Sequence, residues 1–161
     1  MSLTPAQQAA LKAYILSQPD LAPLTSGPGT DYGAIAAELN ANANPQTLAW
    51  RKAVPPTDSD DAPSYATFDS IAAGKRDSWG FFLAFPRDFT RNKVRAWVTD
   101  VWGNATAGSN AEAILQAATV KATRAEVALG GNTKSTGTVS ALARNWEGTI
   151  SISDIGDMFN A

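Results

Sequence analysis

The chain has 161 residues, the length of about one domain, and carries 13 Lys+Arg against 15 Asp+Glu, a formal net charge of −2. It contains no cysteine and no histidine, which excludes disulfides, thiolate nucleophiles, Cys-ligated metals, every Ser-His or Cys-His catalytic pair and the commonest zinc and iron ligand. Carboxylate, Lys or Tyr chemistry remains, or no chemistry, and the near-neutral charge argues against sequence-independent nucleic-acid binding.

Of the residues in the 44% hydrophobic fraction, 30 are alanine. The larger apolar residues suffice for one modest core, and the alanines let helices pack closely. No stretch approaches the roughly 18 apolar residues of a membrane span. The opening MSLTPAQQ has neither a basic segment nor an apolar signal core, so no secretion signal is expected. The lack of cysteine fits a cytosolic origin.

Thr4, Pro5 and Gln7 form a T-x-x-Q capping box with proline at the first helical position, and Leu11, Tyr14 and Ile15 share the face of a helix that Pro19 ends. Residues 19–30, with three Pro and two Gly, read as an irregular connector. Asp31 caps a second helix with Tyr32, Ile35, Ala36 and Leu39 on one face. Asn44-Pro45 predicts a short helix through Leu48, Trp50 and Val54, stopped by Pro55-Pro56. Residues 55–64 read as a surface loop. Helices are predicted over 64–73 and, despite Gly80, over the aromatic segment 75–85. Trp79, beside Phe81, Phe82 and Phe85, belongs either to the core or to a subunit interface.

Residues 88–102 give the cleanest helical period: Val94, Trp97, Val98, Val101 and Trp102 form a stripe, Asp88 is the N-cap candidate and Gly103 the C-terminal stop. Ser109 and Glu112 form an S-x-x-E box opening a long Ala-rich helix from Asn110 to Leu129, ended by Gly130-Gly131. Residues 131–138 read as a polar loop. ALARNW and TISI around Glu147-Gly148 read as a hairpin, and Ser151 or Ser153 caps a last helix over 154–159. The expectation is a mainly α fold: one domain over 1–161, a bundle of about five to six helices with one small β-hairpin near the C-terminus. Loops near 19–30 and 55–64 and the tail 156–161 are expected to be flexible.

Asp58, Asp60 and Asp61 lack the Gly and terminal Glu of a calcium loop, so a solvated loop is favoured over a metal site. Gly27-Pro28-Gly29 and Gly130-Gly131 lack the strand–Gly–helix order of a phosphate cradle. No paired carboxylates suggest an acid/base dyad, so no catalytic residue, metal or cofactor is expected. Arg87, Arg91 and Arg95 recur every four residues and place a basic edge beside the Val98/Trp102 stripe. That edge reads as a contact for an acidic protein or a nucleic-acid backbone, or as stems covering the core and pairing with Asp88 or Asp100. Met158 and Phe159 are apolar residues that insert into a partner or fold back on the core.

From Asn92 and Arg95-Ala96, through Gly103, Ser109-Asn110-Ala111 and KATRAE (121–126), to WEGTIS (146–151) and Asp154-Ile155, the chain resembles a family of small proteins from the structural-gene clusters of tailed bacteriophages. LTPAQ…LK (3–12) and Trp50-Arg51 fit the same pattern. The resemblance implies a non-enzymatic virion protein, a head–tail connector adaptor at the neck between capsid and tail, made in the host cytoplasm. It further implies a self-associated ring of about twelve copies contacting the portal protein and tail or nozzle proteins. Packaged DNA passing through is a further candidate contact, and no membrane is involved. Arg87, Arg91, Arg95, Trp102, Met158 and Phe159 are the candidate partner-binding residues. The alternatives are a tail-completion (tail terminator) or minor head protein and, from another class, a small carboxylate-based hydrolase or lysis factor.

Overall fold

Thr4 opens the first helix as its spacing predicts. Its Oγ1 accepts the Gln7 N–H at 3.3 Å, and Gln7 Oε1 accepts the Thr4 N–H at 2.9 Å, so two otherwise orphaned donors are satisfied reciprocally. In the computed structural model, which describes residues 3–160, the elements run α1 (Pro5–Ser17), α2 (Tyr32–Asn40), β1 (Leu48–Trp50), α3 (Pro56–Asp60), α4 (Ala73–Phe82), α5 (Asn92–Trp102), α6 (Asn110–Ala117), β2 (Thr119–Lys121), α7 (Arg124–Ala128), β3 (Gly131–Thr136), β4 (Val139–Arg144) and α8 (Ile152–Asn160). Short 3-10 turns cover Ala22–Thr25, Gly27–Gly29 and Tyr65–Ser70. Helices predominate, but the sheet is larger than the single hairpin expected. It has four strands in the order β2-β1-β4-β3.

The chain divides into two compact units. One comprises the residues up to Thr47, Lys121–Asn132 and Arg144 onward; the other comprises Leu48–Val120 and Thr133–Ala143. The first unit packs α1, α2, α7 and α8 around Leu11, Ile15, Leu21, Ile35, Leu39 and Ile155. Two polar devices brace it. The Asn40 side-chain amide makes paired 2.8 Å bonds with the N–H and C=O of Ile150. Arg144 meets Glu126 at 2.7 Å and also pairs with Glu147, with the Arg144 and Glu126 side chains only 10% and 6% exposed. On the surface, Arg124 holds Asp20 at 2.7 Å and Glu38 at 3.1 Å. The Arg124 guanidinium keeps the Asp20 carboxyl below its ordinary range.

The second unit is built on aromatic rings. Trp50, Trp79, Phe82, Phe89 and Val98 are its buried centre, with Ile114 and Leu115 from α6. β1 runs parallel to β4 with Ala49 opposite Leu142. Arg95, on α5, is 1% exposed. Its guanidinium lies 5.0 Å from the Trp50 ring centroid, gives Nη1–H to the Phe89 carbonyl at 2.5 Å and Nε–H to Thr136 Oγ1 at 3.0 Å. Trp50 Nε1 in turn donates to the Lys134 carbonyl at 3.0 Å.

Several expectations are corrected. The predicted helix through Leu48 and Trp50 is strand β1, because Ala49 and Trp50 are wholly buried in the sheet. The long helix 110–129 is two helices separated by β2. The T-x-x-E of Thr123 and Glu126 is itself a capping box that starts α7 anew, and Thr119 and Val120 are β-branched. The hairpin is β3–β4, turning at Gly137-Thr138, not around Glu147-Gly148. β3 is polar and mostly exposed, so it shows no apolar alternation. TIS at 149–151 forms no strand, since Asn40 takes the place of a ladder partner for Ile150. Residues 56–60 are helix α3, with Ser59 buried and Asp58 held by Arg51 at 2.5 Å. The segment 64–73 forms a 3-10 turn over Tyr65–Ser70. α5 begins at Asn92 rather than Asp88, because Asp88 Oδ1 accepts the Thr90 N–H and hydroxyl and forms a turn ahead of the helix. Residues 156–160 belong to α8, while Ala161 lies outside the described residues.

Two glycines behave oppositely. Gly137 sits in the hairpin turn at φ +59°, and a Cβ there would lie 2.0 Å from the Ala105 carbonyl oxygen. Gly80 lies within α4, and a Cβ there would meet nothing within 4 Å. In urea titrations, Gly137→Ala is expected to cost more than ~2 kcal/mol, from the left-handed backbone plus the clash. Gly80→Ala is expected to stabilise by about 0.5–1 kcal/mol.

Candidate functional site

The three regularly spaced arginines do not form one helical edge. Arg87 precedes α5; its Nε–H donates to the Phe82 carbonyl at 2.7 Å, Nη2–H donates to the Phe81 carbonyl, and the guanidinium covers the Phe82 and Trp97 rings at 5.2 and 5.0 Å. It closes the C-terminal end of α4, where free carbonyls favour a cation. Arg95 is spent on Trp50, Phe89 and Thr136, and burial pushes its guanidinium below its ordinary pKa while the Asp88 charge opposes that shift. Of the three, Arg91 alone is presented to solvent, with the Asp88 carboxylate 3.9 Å away. It lines a groove of about 450 Å3 with Asn92, Lys93 and Val94 at the start of α5. Lys93, which the four-residue spacing passed over, is the second exposed cation there.

Trp102 is half-buried in its own unit. It meets Tyr65 and Trp79 edge-on at 5.6 and 5.5 Å and lies 5.5 Å from Phe68. Tyr65 links this cluster to the acidic end of α3: its hydroxyl donates to Asp60 and accepts from Trp79 Nε1 at 3.1 Å. Burial first, then the bond to the Asp60 carboxylate, push the Tyr65 phenol up to about 12.

Met158 and Phe159 fold back on the first unit. Met158 is buried, its carbonyl accepts from Lys12 Nζ at 2.6 Å, and Phe159 stacks on Tyr32 at 6.1 Å beneath the same ammonium. Asp58 is paired with Arg51, and Asp60, although it accepts from the Tyr65 hydroxyl, is exposed together with Asp61 at the end of α3. Among the described residues no group of three or more Asp or Glu is placed to hold a metal ion. No helix among them is long and apolar enough to cross a membrane.

The aromatic run of α4 is split between core and surface. Trp79 and Phe82 stack at 4.7 Å inside the unit, whereas Phe81 and Phe85 are 72% and 67% exposed. Phe81 lines a shallow groove of about 610 Å3 with Arg76, Asp77, Gly80 and Ala84. The signal was present in the spacing: Trp79 and Phe82 are three apart on one face, which turns Phe81 away from it. No protein-family model, curated protein or solved structure matches this chain.

Two measurements check these placements. Arg95→Ala should destabilise the protein by about 2–4 kcal/mol, from the void over Trp50 and the orphaned Phe89 carbonyl, while Arg91→Glu stays within about 0.5 kcal/mol. Phenolate absorbance should show a component titrating near pH 12 that Tyr65→Phe removes. Because the fold favours the neutral phenol, its contribution to stability is complete below pH 10.0 and is lost as pH rises from there toward 12.

Proposed function

We propose that the protein is a non-enzymatic virion component, a head–tail connector adaptor that assembles head to tail into a ring at the neck of a tailed bacteriophage, contacting the portal protein on one side and tail proteins on the other. The supporting observation is that the second unit carries two exposed surfaces of opposite charge: Arg91 and Lys93 at the start of α5, and Asp60 and Asp61 at the end of α3. A closing heterologous contact needs two different patches that recognise each other, and opposite charges supply both attraction and register. The resemblance of the Asn92–Arg95, KATRAE and WEGTIS segments to phage structural proteins points the same way. Arg95 has no place in this contact because it is buried.

The test is incorporation into particles of a phage that encodes the chain. Arg91→Glu with Lys93→Glu should lower incorporation at least ~10-fold without unfolding the protein. Adding Asp60→Lys and Asp61→Lys should restore it. Undiminished incorporation of the first variant overturns the charged contact. Gold label on the wild-type protein should appear at the single vertex joining capsid and tail. Label along the tail or over the capsid would move the protein to a tail-completion or minor head position, and unlabelled particles would remove it from the virion.

A further inference from the structure

We infer that Tyr65 is an oxidative modification site. A one-electron oxidation that enters the tryptophans of the second unit comes to rest on it, so radical oxidants modify this tyrosine in preference to Tyr14 and Tyr32. The inference does not rest on the virion reading.

Three oxidisable rings meet at this point. Tyr65 and Trp102 lie edge-on at 5.6 Å, Trp79 and Trp102 edge-on at 5.5 Å, and Trp79 Nε1–H donates to the Tyr65 hydroxyl at 3.1 Å. An electron passes between rings in such contact without a bridge. A phenol becomes a strong acid when it loses an electron, so it gives one up readily only where a base takes its proton in the same step. The Asp60 carboxylate accepts the Tyr65 O–H and is that base. Asp61 adds to the negative charge of Asp60 beside the phenol, which favours positive charge arriving there.

Two other tryptophans of the unit are set the opposite way. The Arg95 guanidinium lies 5.0 Å from the Trp50 ring centroid and the Arg87 guanidinium 5.0 Å from that of Trp97. A cation over a ring makes an electron harder to remove from it. Trp102 differs again: its Nε1 is buried and meets no acceptor among the described residues. An oxidised indole ordinarily sheds its N–H proton. With no base to receive that proton, the Trp102 ring stays a strong oxidant until Tyr65 reduces it.

The electrons and protons balance. A small one-electron oxidant such as the azide radical takes one electron from half-buried Trp102 and leaves as azide. The Trp102 radical cation takes one electron from Tyr65, directly or by way of Trp79, while the phenolic proton crosses to Asp60. Trp102 is restored, Asp60 becomes a carboxylic acid that returns its proton to water, and a neutral phenoxyl radical remains on Tyr65. Its 40% exposure opens that radical to reagents in solution. The tyrosines of the first unit lack a comparable base. Tyr14 faces the Arg124 guanidinium, which accepts no proton, and the Tyr32 hydroxyl reaches the neutral amide oxygen of Asn160 at 3.5 Å.

Pulse radiolysis of the full chain with the azide radical tests the inference, with optical absorption following the tryptophanyl and tyrosyl radicals. In the wild type the tryptophanyl signal should decay as the tyrosyl signal rises, at a rate independent of protein concentration and slower in heavy water. Tyr14→Phe with Tyr32→Phe should keep this transfer, and Tyr65→Phe should lose it. Asp60→Asn, which keeps all three rings, should slow it at least ~10-fold. A nitroso spin trap added after the pulse should map to Tyr65 by peptide mass analysis. Thermal melts should show each variant folded. Transfer that persists in Tyr65→Phe, or that Asp60→Asn leaves unchanged, overturns the inference. So does a spin-trap adduct found mainly on Tyr14 or Tyr32.

Discussion

The second unit depends on a charge held where charge is expensive. A guanidinium taken out of water must recover its lost hydration from fixed partners, and Arg95 finds them in the Phe89 carbonyl, the Thr136 hydroxyl and the face of Trp50. Those partners lie on the turn before α5, on β3 and on β1. One side chain therefore fixes the position of three elements that lie dozens of residues apart in the chain. Trp50 extends the tie by donating to Lys134 on β3, across the intervening β4. Thr138 continues it at the hairpin turn, where its N–H reaches the Ala105 carbonyl and its hydroxyl reaches Glu112 at 2.6 Å. The Thr138 hydroxyl and the Gly108 N–H keep the Glu112 carboxyl below its ordinary range.

In the first unit polar side chains likewise stand in for missing backbone partners. The Asn40 amide treats Ile150 as a strand neighbour would, donating to its carbonyl and accepting from its N–H. Ser151 and Asp154 then open α8 by a reciprocal cap, which holds the Asp154 carboxyl below its usual range. Such devices suit a chain with 30 alanines. Small side chains bury little apolar area per residue, so directional bonds carry more of the specification of a single packing.

Local chemistry was the legible part. Thr4/Gln7, Asp31, Ser109 and Gly103 mark element ends in the places where the structure has them, because caps act within one turn of chain. What was hidden is long-range. Leu48–Trp50 and Thr119–Lys121 are strands because of neighbours distant in sequence, and three residues carry no period of their own. β3 is polar because it is an edge strand exposed on both faces along most of its length, so no alternation could announce it. The arginine spacing misled for the same reason. A four-residue repeat implies one face only if the helix spans it, and Asp88 delays α5 until after Arg91. Arg91 kept its expected exposure, Arg95 went into the core, and the surface rings proved to be Phe81 and Phe85 rather than Trp102.

The order of segments in the first unit bears on how the protein comes off the ribosome. α1 and α2 are made before the rest of their unit, yet much of the surface they bury against belongs to α7 and α8, synthesised more than eighty residues later. Until then Leu11, Ile15, Ile35 and Leu39 lack the cover that α7 and α8 provide, and Lys12 has no Met158 carbonyl to bind. The nascent N-terminal segment therefore waits while most of the second unit is translated, and exposed apolar helix faces during such a wait are what holding chaperones recognise. Vectorial synthesis makes α1 and α2, translated before the helices that cover them, among the last elements to reach their final surroundings.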